Sequence, residues 1–184
     1  MGDNVRTFIA IEFKKEVKKY ISDIQKRVTE KSSKGNFTPE DNFHITLRFI
    51  GEVDEYGVES LAEAVRETAI RTRDFDITLN SLGFFPRGDK SIVWVGVEKN
   101  KSLDILYSNL EKNLMRQGFS KERQKFTPHI TIGREVALKS SYDSVKEHSF
   151  KEPITFRAEK INLMESVRKG SKLIYKPLYS EKLK

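Results

Sequence analysis

The sequence predicts a mixed helix-and-strand fold, a single domain over residues 1–184 built as two related lobes about a cleft. Two observations predict it. Short runs rich in β-formers take turns with amphipathic stretches at helical spacing along the whole chain. The order of those elements then repeats, as strand, helix, histidine strand, helix, strand, with no low-complexity linker between the halves.

Val5 to Phe13 alternates and reads as a strand. From Lys14 to about Lys31, Val17, Tyr20, Ile21, Ile24 and Val28 recur at helical spacing. Ser32 to Asn42 is polar, holds Gly35 and Pro39, and reads as a loop. Phe43 to Ile50 is a strand ended by Gly51, and Asp54 to about Arg73 is a helix with Val58, Leu61, Val65 and Ala69 on one face. Phe75 to Phe85 and Ser91 to Glu98 read as strands about a turn at Pro86 to Lys90. A helix follows from Ser102 to Gly118, and then a second histidine strand. Ser141 to His148 is a weak helix or irregular piece, and Ile154 to Glu165 reads as one strand. A basic turn, Arg168 to Lys172, leads to a last strand around Leu173 to Tyr179.

Spacing supports the repeat. Glu12 ends the first strand 32 residues before His44, and Glu98 ends its counterpart 31 residues before His129. The lead-ins Phe37-Thr38-Pro39 and Phe126-Thr127-Pro128 echo each other. Halves related by a pseudo-two-fold axis would bring the two histidine strands together across a cleft.

Composition narrows the class. The chain has 184 residues, 37% hydrophobic and 33% charged, which suits a well-solvated globular domain. It has no cysteine, so disulfides, thiolate chemistry and cysteine-ligated zinc are excluded. No apolar run reaches the roughly 20 residues of a membrane span, and the first strand begins at once, leaving no room for a secretory signal. The expected setting is the cytoplasm. A net charge of +7 fits a solubilising surface or attraction to a polyanion such as RNA, and charge alone does not separate them.

The chemistry lies in His44-Ile45-Thr46 and His129-Ile130-Thr131, which hold two of the three histidines. Residues i and i+2 of a strand share a face, so each copy shows an imidazole and a hydroxyl on one side. A lone strand histidine is more often structural. Two in matching places of a repeat point to an acid and a base. Such a pair suits a phosphodiester, where the nucleophile loses a proton and the leaving oxygen gains one. Thr46 and Thr131 can bond non-bridging phosphate oxygens, although threonine is also common in strands for its shape alone. Neither strand places Asp or Glu beside its histidine on the same face, so no metal site is expected.

Three neighbours carry two readings each. Arg134, five residues after His129, faces away in a regular strand, but Gly133 permits a bulge that returns it. Phe49 has the same offset from His44 and offers a ring for base stacking or for core packing. Arg48 shares the face of His44 in a regular strand, as a phosphate attractor or a solvated charge. His148 has no counterpart and reads as a surface histidine.

The chain resembles the 2H phosphoesterase superfamily, whose mark is two His-x-Thr/Ser motifs with apolar x. It is most similar to the RNA 2′,3′-cyclic phosphodiesterase branch, also called 2′-5′ RNA ligase. The resemblance runs through RTFIAIEF, FTPEDNFHITLRFIGEV, LGFFPRGDKSIVWVGVE and ERQKFTPHITIGR, with the motifs 85 residues apart. It implies a bilobal α+β fold, with two antiparallel sheets lining a central cleft and helices outside. It implies cleavage of a terminal RNA 2′,3′-cyclic phosphate to a 2′-phosphate without metal or cofactor. It also implies His44 as proton donor, His129 as proton acceptor, Thr46 and Thr131 as phosphate binders, and Arg134 and Phe49 as substrate contacts. The expected partner is RNA with a cyclic phosphate end, or a small cyclic nucleotide, and the expected state is a monomer. The reverse 2′-5′ ligation needs the same groups. Alternatives are a phosphodiesterase acting on 2′-5′ oligoadenylate or a small cyclic nucleotide, and an RNA-end binding module without turnover.

Overall fold

The computed structural model describes residues 4–170 and 172–184. Two antiparallel sheets carry the fold. The first half supplies β1 (Val5–Glu12), α1 (Lys15–Glu30), β2 (Ser32–Phe37), β3 (His44–Val53), α2 (Glu55–Ala69) and β4 (Phe75–Arg87). The second supplies β5 (Lys90–Val97), α3 (Lys101–Arg116), β6 (His129–Leu138), α4 (Tyr142–Ser149), β7 (Ile154–Ala158), β8 (Lys160–Lys169) and β9 (Lys172–Lys182). The first sheet has the order β3-β1-β8-β9, the second β2-β6-β5-β4-β7.

The α+β class is as expected, but the halves exchange strands. β4 lies beside β5 in the second sheet, and β8 lies beside β1 in the first. Each sheet turns one face to a shared core. Ile9, Ile11 and Ile45 of the first sheet, with Val93, Val95 and Ile130 of the second, are buried in one apolar cluster. The helices cover these core faces, α1 against β2 and β6, and α2 against β8, β9 and α3. Asp54 caps α2 by accepting from Gly57 N–H, and Asn100 caps α3 by accepting from Leu103 N–H.

Three expectations change. Residues 32–37 form strand β2 rather than a loop. Polar Ser-Ser-Lys-Gly-Asn buries only Ser32 and so shows no apolar alternation, and β2 stands at the edge of its sheet beside β6. The single strand expected from Ile154 to Glu165 is two strands broken at Glu159. β7 pairs β4 in one sheet, and β8 pairs β1 and β9 in the other. The weak helix is a full one, α4, capped by Ser141. The expected basic turn includes Ser171, which lies outside the described residues.

Candidate active site

The faces of the sheets turned from the helices line a cleft of about 630 Å³. His44, Thr46, His129 and Thr131 all border it, and β3 and β6 pack against each other. Phe49 and Arg134 border it too, so all six expected site residues meet in one cleft.

Paired bulges explain Phe49 and Arg134. On β1, Ala10 faces Thr46 and the next residue, Ile9, faces Arg48, so Leu47 is extra and the alternation shifts by one. Phe49 thereby returns to the face of His44. On β5, Trp94 faces Thr131 and Val93 faces Gly133, leaving Ile132 extra. A second irregularity at Glu135, with φ 51°, follows, and Arg134 turns into the cleft. The side chain of Gln25 braces this bulge, donating to the carbonyls of Thr38 and Ile132 at 2.7 Å each.

Arg48 corrects an expectation. It does not share the face of His44 but points inward, its side chain 10% exposed. Its Nη1 lies 3.0 Å from Glu122 Oε2 and 3.6 Å from Glu111 Oε1, and Nη2 donates to the Ser120 carbonyl at 2.7 Å. His148 lies apart from the cleft, 3.3 Å from Glu30.

The two histidines are held alike. His44 Nδ1 lies 2.7 Å from the Asn42 carbonyl, and His129 Nδ1 lies 2.7 Å from the Thr127 carbonyl. A carbonyl only accepts, so each Nδ1 carries a hydrogen and each Nε2 is the working nitrogen. His44 Nε2 accepts from the Thr46 hydroxyl at 2.9 Å. Phe8 and Tyr175 enclose the His44 ring, with centroids at 4.9 and 5.2 Å. Burial pushes the His44 pKa down to about 4, and the charges of His129, Arg134 and Lys18 act in the same direction, while the Asn42 carbonyl opposes them. Burial also raises the Tyr175 hydroxyl, against the pull of Arg134 and Arg6.

Arg6, Phe8 and Tyr175 are cleft residues that sequence reasoning missed. Arg6 lies 5.0 Å above the ring of Phe49, which is 47% exposed. Arg6 and Phe8 sit two apart on β1, a same-face pair that alternation could have shown. Tyr175 reaches His44 only through the strand order β3-β1-β8-β9, which no local pattern carries. Asn42 acts through its main chain, so its residue type gives no signal. Among the described residues no three His, Asp or Glu side chains gather as a metal-ligand set, and no helix is long and apolar enough to cross a membrane.

The cleft is polar, cationic and bordered by an exposed aromatic ring, an arrangement that can hold a phosphate and a base while two imidazoles move protons. Residues 13–170 match the family described as the 2′-5′ RNA ligase superfamily. A Thermotoga maritima protein named RNA 2′,3′-cyclic phosphodiesterase is 35% identical over 95% of this chain and 94% of its own length. The solved structure of E. coli LigT in apo form superposes with a TM-score of 0.79 at 25% identity, covering 99% of each chain. LigT complexed with 3′-AMP gives 0.77 at 26%, covering 99% of each chain.

Proposed function

This chain belongs to the 2′-5′ RNA ligase superfamily of 2H phosphoesterases, and from that we propose that it hydrolyses a terminal 2′,3′-cyclic phosphate of RNA to a 2′-phosphate. One observation carries the reading: two imidazoles border one cleft, each with Nδ1–H tied to the carbonyl two residues before it and Nε2 left for proton transfer. The name of the Thermotoga relative and the 3′-AMP held by LigT support the substrate class.

In this mechanism His129 accepts a proton from water as the water oxygen bonds to phosphorus. The bond from phosphorus to the 3′-oxygen breaks, and His44 gives that oxygen its proton. Burial keeps the His44 ring neutral at pH 7 until substrate enters. A phosphodiester monoanion beside the ring then favours its charged form. Protonation also ends the bond that Nε2 accepts from Thr46: the hydroxyl hydrogen turns to a phosphate oxygen, and Nε2–H is left to serve the 3′-oxygen. Thr131 donates likewise from the opposite strand, Arg134 balances the phosphate charge, and Phe49 stacks on the terminal base. With a 5′-hydroxyl in place of water, the same groups acting in the same direction open the cyclic phosphate into a 2′-5′ linkage, His129 taking the hydroxyl proton and His44 protonating the 3′-oxygen. The protein acts as a cytoplasmic monomer, a single domain of two repeat-related lobes, and needs no metal.

The test is hydrolysis, in EDTA, of an oligoribonucleotide ending in a 2′,3′-cyclic phosphate, with His44→Ala and His129→Ala beside the wild type. A 2′-phosphate product, lost in both variants, is expected. A 3′-phosphate would assign the wrong leaving oxygen. A folded wild type without turnover, but with salt-dependent RNA affinity, would leave a binding module instead.

A further inference from the structure

We propose that Arg48 is a positioning residue: its inward ion pairs hold the β3 bulge, and the bulge places Phe49 against the terminal base. The inference rests on the reading above for Phe49 as a base contact. It begins from what β3 would do unaided. A regular strand pairs residue for residue, and side chains then alternate strictly. In that register Arg48 joins His44 and Thr46 in the cleft, and Phe49 turns away from it. The observed strand instead sends Leu47 and Arg48 in succession to the inner side, opposite the single residue Ile9. Something must make that inner place suit the second of the two residues.

The other half meets the same demand differently. Gly133 stands four residues after His129, as Arg48 stands four after His44. A Cβ at Gly133 would lie 2.8 Å from Val136 Cγ2 and 3.1 Å from Phe37 Cδ1, so that inner place is already filled by neighbours. At β3 the equivalent place is filled by the guanidinium, and its surroundings are built for it. Glu111 from α3 and Glu122 from the segment between α3 and β6 supply carboxylates, and Ser120 supplies a carbonyl. Glu111 in turn accepts from the Glu122 N–H at 3.0 Å, and Glu122 accepts from Arg123 and Gln124 N–H. In the inward pose Arg48 thus meets two carboxylates and a carbonyl. In the cleft-facing register both carboxylates would lose their cation, and Arg48 would add to the charges that already disfavour a protonated His44.

The test reads binding of adenosine 3′-phosphate against ribose 3-phosphate, which lacks a base. Arg48→Met is expected to weaken adenosine 3′-phosphate about tenfold, the loss of one aromatic stack, and ribose 3-phosphate less than about twofold. In a Phe49→Ala background, Arg48→Met should add no further loss. Arg48→Met with Glu111→Gln removes the more buried of the two stranded carboxylates and serves where the single variant melts too low. Equal weakening of both ligands, a loss that persists in the Phe49→Ala background, or a wild type that ignores the base would each overturn the inference. A protein that shows the base-dependent pattern yet turns over no cyclic phosphate would support it while sinking the proposed hydrolysis.

Discussion

The indole of Trp94 stands 6.0 Å from the imidazole of His129, centroid to centroid, at an interplanar angle of 60°. Trp94 is the only tryptophan of the chain, so its emission reports on the His129 side of the cleft. A phosphate bound between the two histidines changes the surroundings of that indole. Emission is therefore expected to shift as adenosine 3′-phosphate saturates the wild type, and His129→Gln should need more ligand for the same shift. A fluorescence titration with the ligand decides it. Emission that ignores saturating ligand would place the bound phosphate away from His129.

His44 should make stability depend on pH. Its folded pKa, about 4, lies below the ordinary histidine value of 6.5, so between these values the unfolded chain binds the proton more readily. Stability then rises with pH through that window, is complete above 6.5, and is lost as pH falls towards 4. The full swing is about 3 kcal/mol at the conversion of one pKa unit to 1.36 kcal/mol. Melting temperatures from pH 4 to 7 should show a shallower slope in His44→Gln than in the wild type. Equal slopes would mean that the ring protonates freely in the folded cleft.

The threonines separate hydroxyl from shape. Thr46→Val and Thr131→Val keep a β-branched side chain but remove the donor to phosphate. Each should lower kcat about 10- to 1000-fold while leaving the melting temperature nearly unchanged. For Thr46→Val, the His44 ring also loses its Nε2 partner, so its pH profile should shift as well. Unchanged kcat in both variants would reduce the threonines to strand formers.

Gly133→Ala tests the bulge that turns Arg134 inward. The added methyl group meets Val136 at 2.8 Å, and buried Val136 has little room to yield. A cost of about 1–3 kcal/mol is expected from overpacking, together with a raised KM as Arg134 leaves the cleft. Calorimetry and steady-state kinetics on the cyclic phosphate measure the two effects. A destabilised variant with normal KM would separate the bulge from substrate binding.

Much of this cleft was legible in the sequence because its chemistry is local. His44 and Thr46 share a face by strand geometry alone, as do His129 and Thr131. Gly133 marked the bulge behind Arg134 because a glycine in a strand is itself a signal. Gly51, with φ 100°, stands at a second irregularity further along β3, but no glycine marks the bulge at Leu47. There an arginine does the same work through Glu111 and Glu122, which lie more than 60 residues away, and the side of Arg48 was misread for that reason. β2 was missed because an edge strand need not be apolar. The break at Glu159 was missed because β7 and β8 differ in their partners, and partners are a property of the assembled sheets.

The strand exchange has a mechanical meaning. β4 leaves the first half to lie beside β5, and β8 leaves the second to lie beside β1. The sequence halves are thus stitched by two ladders, and parting them would tear main-chain hydrogen bonds in both sheets. The His44 sheet and the His129 sheet meet instead through one apolar core, so spreading the two sides of the cleft would expose that core to water. The cleft behaves as a mould cast in one piece, and the separation of its two proton carriers is set when the chain folds rather than when substrate arrives.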